Sequence, residues 1–350
     1  MAATTINRQW RLNGLTGFSS LELKEDHIPE ISDLDVLVRW KYASLNYRDL
    51  VVSKGTYPLG ALDGVVAGPD AAGEVVKVGS QVHSSKPGDQ VTGVHLQTWQ
   101  EGTLQAEDID KATGGKLDGV LQEYGVVPES GLVKIPETLD IQQGSTLTIA
   151  ALTAWDSLFG IPSKRLEAGQ WVLTQGSGGV SVFAIQFAKA MGAHVIATSS
   201  SQAKIDRLKE LGADYVINYK EIPEWGAEAK RIANGAGVDH VIEVGGSGTL
   251  RQSLNAIKIQ GVISLVGFMV AGDNSNEPKL LEALFHGCIA RGVLVGSKQE
   301  FVDMNAFIDA NNIKPVIDDE VFDFGDVPAA YQYVWDQRHF GKVTIKIASE

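Results

Sequence analysis

Residues 171–201 read WVLTQGSGGVSVFAIQFAKAMGAHVIATSSS, and this stretch decides the fold of the second half of the chain. It begins with an apolar, strand-forming run at 171–174 and returns to a second apolar run at 194–198. Between the two lie a helical pattern and a cluster of three glycines, Gly176, Gly178 and Gly179. Strand, glycine turn, helix and strand make a βαβ unit, whose turn can hold the pyrophosphate of a dinucleotide. We therefore predict a nicotinamide-dinucleotide site at this turn.

The turn departs from the usual dinucleotide pattern at one position. Ser181 stands where a third glycine usually allows close packing of helix on strand, although serine is small enough to fit. The helix that follows carries one apolar face, made by Val180, Phe183, Ala184, Phe187, Ala188 and Met191. The residues predicted to contact the cofactor are Gly176, Ser177, Gly178, Gly179 and Val180. The alternative is an ordinary turn between strand and helix that binds nothing.

The end of the second strand predicts which dinucleotide binds. An NAD site usually carries Asp or Glu about 20 residues after the first glycine, to bond the ribose 2′-hydroxyl. Here residues 198–201 read TSSS and contain no acid. Hydroxyls and a nearby lysine suit a 2′-phosphate, which a carboxylate would repel. We therefore predict NADP(H), bound through Ser199, Ser200 and Lys204. The serines can also cap the next helix, and both roles are compatible.

The composition restricts the class of protein. At 350 residues the chain exceeds the usual single domain, so two domains are expected. The formal net charge of −13 argues against nucleic acid or an anionic membrane as the main partner. The single cysteine, Cys288, lies in an apolar run and is predicted to be a small buried hydrophobe. No apolar stretch approaches the roughly 18 residues of a membrane span, and the first residues lack an apolar leader, so we expect a cytoplasmic protein.

The predicted pattern of secondary structure changes near residue 140. Residues 1–140 and 300–350 are predicted to form one β-rich domain, with a last strand at 342–347 that returns to it. Residues 141–299 alternate strands and helices and predict one doubly wound parallel sheet. Its predicted strands are 171–174, 194–198, 215–219, 238–244, 261–267 and 292–297. Its predicted helices are 142–159, 180–191, 201–211, 223–234, 249–256 and 277–287. The strand at 292–297 would lie at an exposed sheet edge, which suggests a homodimer.

Several local patterns resemble the medium-chain dehydrogenase/reductase superfamily over nearly the whole chain. They are residues 45–49 (LNYRD), 54–58 (KGTYP), 68–75 (GPDAAGEV), 151–155 (ALTAW) and 208–219 (LKELGADYVINY). The first two are similar to a segment that quinone oxidoreductases and enoyl reductases share. The resemblance implies an α/β fold, with a doubly wound parallel Rossmann sheet and a β-rich GroES-like catalytic domain.

The same resemblance locates the positions of zinc ligands, and this chain departs from them. Zinc-dependent members place a cysteine where Asn46 stands and a His-Glu pair where Pro69 and Asp70 stand. They also carry four cysteines in a lobe that matches residues 97–119, which contain none. A structural zinc needs four Cys or His ligands and a catalytic zinc needs three. We therefore predict no zinc. A site built from His83, His95 and nearby acids has no recognisable spacing.

Without zinc, hydrogen-bond donors must stabilise the oxygen of the substrate during hydride transfer. Reduction of an alkene conjugated to a carbonyl suits such a site. The resemblance implies that Tyr57 is the proton donor, although it can equally fill the turn before Pro58. Asn46 is a candidate donor to the substrate carbonyl, with a local turn to Asp49 as its alternative role. Arg48 and Asp49 can form a surface ion pair.

The resemblance also implies residues at both ends of the cofactor. Lys204 and Tyr219 lie fifteen residues apart, as do the lysine and tyrosine that hold the 2′-phosphate and adenine in quinone oxidoreductases. Thr153 is expected near the nicotinamide, or else in helix packing. Gly245 and Gly267 follow apolar strands at the end where α/β sheets bind ligands, although glycines there can be simple turns.

We therefore predict a zinc-independent, NADPH-dependent oxidoreductase that transfers hydride to an activated C=C bond or a quinone. Two alternatives stay open, because function depends on the site rather than on the fold. One is a zinc-free alcohol dehydrogenase or carbonyl reductase. The other is a dinucleotide-binding protein without turnover. The expected partners are a small-molecule substrate and a second copy of the chain.

Overall fold

The computed structural model describes residues 6–269 and 277–348 of the chain. The chain divides into two compact units. The first unit contains Met1–Ala150 and Ser297–Glu350, and the second contains Ala151–Gly296. Residues 141–150 and 297–299, which the sequence analysis assigned to the Rossmann domain, therefore group with the β-rich unit.

The strands follow in chain order. They are β1 (Ile6–Leu12), β2 (Leu21–His27), β3 (Asp35–Ser44), β4 (Asp70–Val78), β5 (Gln90–Gly93), β6 (Tyr124–Pro128), β7 (Leu132–Lys134), β8 (Trp171–Gln175), β9 (His194–Ser199), β10 (Tyr215–Asn218), β11 (Val238–Glu243), β12 (Ile257–Leu265), β13 (Ile289–Gly292), β14 (Ile317–Asp323) and β15 (Lys342–Lys346).

The α-helices alternate with the strands mainly in the second unit. They are α1 (Tyr47–Ser53), α2 (Ala106–Ile109), α3 (Ile141–Gly144), α4 (Leu152–Phe159), α5 (Gly179–Ala190), α6 (Gln202–Glu210), α7 (Trp225–Ile232), α8 (Leu250–Ala256), α9 (Glu282–His286), α10 (Lys298–Asn311) and α11 (Val327–Trp335). Among the described residues, no helix is long and apolar enough to cross a bilayer.

The first unit is built on a largely antiparallel sheet in the order β14-β15-β3-β4-β5-β7, with β6 also paired to β3. The indole of Trp40 on β3 is fully buried in its core. An added Cβ at Gly125 of β6 would lie 2.5 Å from Trp40 Nε1, so the glycine makes room for this ring. The predicted return of the last strand is confirmed, because Thr344 of β15 pairs with Ser44 of β3. This pairing brings the end of the chain beside the loop that follows β3.

The second unit contains a six-stranded parallel sheet in the order β10-β9-β8-β11-β12-β13. This is the order of a dinucleotide-binding Rossmann fold, whose strand order reverses between its first and fourth strands. The reversal lies here between β8 and β11. Ligands of such sheets bind outside the carboxyl ends of the strands at this point. The glycine turn after β8 is therefore at the expected position.

Some predicted element boundaries are wrong. The strand predicted at 292–297 is instead β13, at Ile289–Gly292, although it does form the edge of the sheet. The backbone of Val295 has φ 135°, which is outside the strand region, so the ladder cannot continue through this residue. The helix predicted at 142–159 is interrupted by a π-helical segment at Leu147–Ala151. The helix predicted at 277–287 is reduced to α9, and Cys288 beside it is only half-buried.

Candidate active site

The turn that is predicted to hold the pyrophosphate has free space beside two of its glycines. Gly176, at φ 72°, is in the left-handed region that favours glycine. A Cβ added at Gly176 or at Gly178 would meet no atom within 4 Å. Gly178 is the N-cap of α5 and has no side chain with which to satisfy the first N–H groups of this helix. The turn therefore offers backbone donors and free space, which is the arrangement that holds a pyrophosphate.

The other residues of the turn lie around this opening. Ser177 is buried, whereas Gly179 and Val180 begin α5 and are half-buried. Ser181 is almost fully buried, and its hydroxyl donates to the carbonyl oxygen of Gln175 at 2.6 Å. This bond ties the first turn of the helix to the end of β8. In the usual pattern a third glycine allows close packing because it is small. Here the hydrogen bond of Ser181 holds the helix against the strand.

The residues predicted for the adenosine end meet at the carboxyl ends of β9 and β10. The phenol of Tyr219 donates to Ser200 Oγ at 3.1 Å, and its backbone N–H donates to the carbonyl oxygen of Ser199 at 3.2 Å. Tyr219 is 41% exposed, so its ring is accessible. Lys204 is the third residue of α6, whose N-cap is Ser201, and it is half-buried. The structure therefore groups hydroxyls here, with a lysine in the adjoining helical turn.

The glycines after β11 and β12 are explained by close packing. An added Cβ at Gly245 would lie 2.3 Å from Thr249 Oγ1, and one at Gly267 would lie 2.2 Å from the carbonyl oxygen of Val244. Both positions therefore require glycine whether or not a ligand binds. Thr153, the other residue predicted near the cofactor, is buried in α4.

Sequence reasoning missed Glu243, which organises the loop after β11. Glu243 is completely buried and accepts from Gln175 Nε2 at 2.7 Å. It also accepts from the backbone N–H groups of Gly245 and Gly246, both at 2.9 Å. These bonds fix the loop after β11 to the end of β8, where the cofactor turn begins. The signal in the sequence was an acid at the last position of β11, two residues before the pair Gly245 and Gly246.

The catalytic candidates of the first unit surround the start of α1. The backbone N–H of Asn46 donates to Asp49 Oδ2 at 2.9 Å, and the Asp49 N–H donates to the Asn46 carbonyl oxygen at 3.0 Å. The local turn that was the alternative role of Asn46 is therefore present. Asn46 also forms the capping box of α1 with Asp49, in which the Asn46 side chain faces the Asp49 backbone N–H, so the amide nitrogen Nδ2 is the part left for other contacts. Asn46 Oδ1 accepts from Lys342 Nζ at 2.7 Å. Asn46 Nδ2 is buried and has no hydrogen-bond partner among the described residues.

Lys342, at the start of β15, is the second residue that sequence reasoning missed. Its side chain is 2% exposed, and its ammonium lies 3.1 Å from Asp70 Oδ2, which is fully buried on β4. It also donates to the carbonyl oxygen of Leu45 at 2.9 Å. A buried cation needs such partners, because desolvation of an unpaired charge is strongly unfavourable. The only signal in the sequence was a lysine at the start of a strand-forming segment, KVTIKI, which also contains Lys346.

Arg48 connects Asp49 to Tyr57. Its guanidinium lies 3.0 Å from Asp49 Oδ1 and 5.3 Å from the centroid of the Tyr57 ring. The side chains of Arg48 and Asp49 are 10% and 1% exposed, so the prediction of a surface ion pair is wrong. Tyr57 is half-buried, and its ring is held by this cation–π contact as well as by the turn.

His95 lies in a neighbouring buried position. Its Nδ1 is 3.2 Å from Thr113 Oγ1, and Thr113 is itself buried. Burial, assisted by the charge of Arg48, holds the pKa of His95 well below its ordinary value. The imidazole is therefore neutral at physiological pH, and it adds no charge near Arg48.

Comparisons with known proteins agree with this architecture. A family model for the alcohol dehydrogenase GroES-like domain matches residues 32–137, and a model for zinc-binding dehydrogenases matches residues 179–310. Over 336 residues the chain is 43% identical to a zinc-type alcohol dehydrogenase-like protein of Schizosaccharomyces pombe, covering 95% of this chain and 97% of that protein.

Two solved structures extend the comparison to three dimensions. A structure of an NAD-dependent alcohol dehydrogenase is 29% identical with a TM-score of 0.87, and the match covers 97% of this chain and 100% of that one. The quinone oxidoreductase of Coxiella burnetii is 25% identical with a TM-score of 0.78, over 98% and 100% of the two chains. The chain therefore belongs to the medium-chain dehydrogenase/reductase superfamily, as a zinc-type alcohol dehydrogenase-like member. It is an oxidoreductase that uses a nicotinamide dinucleotide.

The residues present do not fit a catalytic zinc. Such a site needs three ligating side chains and an open position. Asn46 and Asp70 stand at two of the ligand positions, but both direct an oxygen to the Lys342 ammonium, and Pro69 has no ligating atom. Within residues 6–269 and 277–348, no group of three or more His, Cys, Asp and Glu side chains is arranged to hold a metal ion. We derive no chemical step through zinc.

The open space at Gly178 yields a first prediction. Gly178 has φ −77° and ψ 172°, which any residue adopts, so Gly178→Ala is expected to leave the melting temperature within about 2 °C of the wild type. A methyl group in the open turn should weaken NADPH binding by tenfold or more, because it occupies space that the pyrophosphate needs. Fluorescence titration measures the dissociation constant. Gly292→Ala, which also meets no atom within 4 Å, is the control. Unchanged binding by Gly178→Ala would contradict the assignment of this turn.

A second prediction concerns the pH dependence of stability. Burial raises the pKa of Asp49 to about 6, against the opposing charge of Arg48, whereas the ordinary value is 3.8. The folded state therefore binds this proton more tightly than the unfolded state, and the unfolding free energy falls as pH rises from about 4 to about 6. Asp49→Asn removes this slope. Relative to the wild type, the free energy of unfolding of the variant should rise by roughly 2–3 kcal/mol across that pH range.

Urea denaturation at pH 4, 5, 6 and 7 measures this difference. Any effect of the substitution on packing or hydrogen bonding that does not depend on pH shifts all four values together, so the slope is the informative quantity. Asp303→Asn, at an exposed position on α10, is the matched control and should leave the slope of the wild type unchanged. Parallel curves for Asp49→Asn and the wild type would show that Asp49 titrates normally.

Proposed function

We propose that the chain is a zinc-independent, NADPH-dependent reductase of carbonyl-conjugated C=C bonds or quinones. The observation that carries the proposal is the amide of Asn46. Its Nδ2 is buried without a partner among the described residues, at a position that holds a zinc-ligating cysteine in zinc-dependent relatives. A neutral hydrogen-bond donor there suits an acceptor oxygen that gains negative charge during reduction.

The proposed chemistry divides between the two units. A nicotinamide, when bound, would supply hydride to the β-carbon of the substrate. In the first unit, Asn46 Nδ2 donates to the substrate oxygen and stabilises the charge that develops on it. The phenol of Tyr57 supplies the proton for the α-carbon, and Arg48 holds the Tyr57 ring through its face. In the second unit, the turn at Gly176, Ser177, Gly178, Gly179 and Val180 holds the pyrophosphate.

The preference for NADPH rests on the carboxyl ends of β9 and β10. Ser199, Ser200, Lys204 and Tyr219 are the residues proposed to hold the 2′-phosphate and adenine. The bond between Tyr219 and Ser200 places two hydroxyls together, and residues 198–201 contain no carboxylate. A phosphate oxygen accepts charge-assisted hydrogen bonds from lysine and ordinary ones from hydroxyls.

A second candidate is a zinc-free alcohol dehydrogenase or carbonyl reductase. The Schizosaccharomyces pombe relative is named a zinc-type alcohol dehydrogenase-like protein, and one solved relative is named an NAD-dependent alcohol dehydrogenase, which favours an alcohol or carbonyl substrate. The same Asn46 donor would then hold the oxygen of an aldehyde or ketone, and hydride would go to the carbonyl carbon. A binding protein without turnover is the third possibility that the sequence left open.

We further propose a homodimer formed through the edge of the Rossmann sheet, at β13. The second unit exposes large apolar side chains on and near α9, β12 and β13: Ile259, Leu280, Leu281, Leu284, Phe285 and Ile289. Exposed apolar side chains near an unpaired sheet edge are typical of an interface between subunits. Residence in the cytoplasm is our expectation from the sequence, and cell fractionation is its check.

NADPH oxidation at 340 nm against enones, enals, quinones and simple aldehydes, with and without a chelator, tests the proposed reaction. Turnover of enones or quinones that survives the chelator is expected. Activity restricted to aldehydes would select the carbonyl reductase instead. The same assay with NADH tests the cofactor preference, and equal or tighter use of NADH would contradict the role of Ser199, Ser200 and Lys204.

Tyr57→Phe tests the proton donor. The variant keeps the ring that contacts Arg48 and removes only the phenolic oxygen, so its fold should be intact. We expect kcat to fall by roughly 10²-fold, as for other general acids, with NADPH affinity unchanged. Tyr124→Phe, at a half-buried tyrosine on β6, controls for loss of a phenol elsewhere in the unit. Wild-type turnover by Tyr57→Phe would remove Tyr57 from the mechanism.

Sedimentation velocity tests the dimer. The double substitution Leu284→Asp and Phe285→Asp places two charges on the exposed face of α9 and should convert a dimer into a monomer. Leu62→Asp, at an exposed leucine of the first unit, should leave the dimer intact. A wild-type protein that sediments as a monomer at micromolar concentration would overturn the proposal.

A further inference from the structure

Lys342 determines which atom of the Asn46 amide is free. Its ammonium contacts three acceptors: the carbonyl oxygen of Leu45 at 2.9 Å, Asn46 Oδ1 at 2.7 Å and Asp70 Oδ2 at 3.1 Å. An ammonium has three donors and no acceptor, so each atom that it bonds must be an oxygen. The amide atom that faces Lys342 is therefore Oδ1. The other atom, Nδ2, must point away from Lys342 with both of its N–H groups.

This arrangement removes an ambiguity that a primary amide normally has. The oxygen and nitrogen of an asparagine are nearly the same size, so rotation by 180° exchanges an acceptor for a donor in the same place. If Asn46 turned over, its NH₂ group would face the ammonium, and two donors would oppose each other in a buried position. The contact thus allows one orientation of the amide.

Asp70 is the counter-ion that stabilises the charge of the buried Lys342 ammonium. Lys342 and Asp70 are 2% and 0% exposed, and a buried ammonium without a carboxylate would pay a large desolvation penalty. Ser44 Oγ lies 3.3 Å from Asp70 Oδ2, but its shorter hydrogen bond is donated to the carbonyl oxygen of Ser145 at 2.9 Å, so Lys342 is the main partner of the carboxylate. Asp70 therefore fixes the position of the Lys342 ammonium, and Lys342 fixes the orientation of the Asn46 amide.

We propose that Lys342 is a positioning residue, which keeps the Asn46 amide turned so that it donates to the substrate oxygen. The inference rests on the proposed function, because it assumes that Asn46 contacts this oxygen. Lys342 itself acts only through Asn46 and contacts no reacting atom. A structural tie between β15 and the loop after β3 is the competing role, and it predicts a loss of stability without a specific effect on the amide.

A double-mutant cycle distinguishes the two roles. Lys342→Met alone leaves Asp70 buried without its cation and can unfold the unit, so Lys342→Met is combined with Asp70→Asn to keep the site neutral. This neutral variant is compared with Asn46→Ala and with the triple variant, and NADPH affinity and melting temperature are measured for each. Lys346→Met, four residues further along β15 and partly exposed, is the control for loss of a lysine.

We expect Asn46→Ala to lower kcat/KM for 2-cyclohexenone by roughly 10²-fold or more, as for loss of an oxyanion donor. The neutral variant should lower it by about tenfold, and it should have no further effect in the Asn46→Ala background, because both changes remove one function. Additive effects, or an unchanged kcat/KM in a folded neutral variant, would overturn the positioning role.

A spectroscopic measurement separates this inference from the proposed reaction. The carbonyl stretching frequency of bound 2-cyclohexenone, labelled with ¹³C at the carbonyl, reports hydrogen bonding to the oxygen without any turnover. We expect it to shift down on binding to the wild type and to return most of the way in the neutral variant. If the wild type reduces enones but the neutral variant shows the same frequency shift, the inference is overturned and the proposed function stands. A Lys342-dependent shift in a protein that reduces neither enones nor quinones supports the inference and overturns the proposed function. A protein that neither shifts the probe nor reduces enones or quinones overturns both.

Discussion

The antiparallel pairing of β15 with β3 is the constraint on which the first unit depends. It joins the last strand described by the structure to the strand that precedes the candidate catalytic loop, and Thr344 lies opposite Ser44 in the register. The pairing places Lys342 where its side chain enters the core instead of solvent. The ion pair with Asp70 and the contact with Asn46 follow from this register. A shift of one residue would turn the Lys342 side chain to the other face of the sheet.

The second unit depends on glycines of two kinds, and their surroundings distinguish them. Gly176 and Gly178 face free space, whereas Gly245 and Gly267 are pressed against neighbouring atoms of the protein. The first kind leaves free space at the turn after β8, and the second kind allows the loops after β11 and β12 to pack closely. Glu243 completes this packing by bonding the loop after β11 to the end of β8. The binding turn is therefore supported by a rigid neighbour.

Local periodicity predicted the fold well, because a βαβ unit has its information within about thirty residues. The sheet of the second unit, its glycine turn and the position of Ser199 and Ser200 were accessible in this way, whereas Tyr219 was predicted from the resemblance to quinone oxidoreductases. The site of the first unit was only partly accessible. The sequence pointed to Asn46 and Tyr57, but Lys342 lies 296 residues from Asn46 along the chain, and no local pattern connects them. Burial of the Arg48–Asp49 pair and the displacement of β13 likewise depend on tertiary packing, which short patterns do not encode.

The first unit is discontinuous, and this has a consequence for synthesis on the ribosome. Residues 1–150 emerge first, and the whole of the second unit, residues 151–296, follows before β14 and β15 exist. Throughout that interval Asp70 has no ammonium to neutralise it, and β3 has an open edge where β15 will later pair. An early segment with an unpaired edge and an unmatched buried carboxylate is vulnerable to misassembly. The nascent chain must therefore keep its first half soluble while it builds a complete second domain.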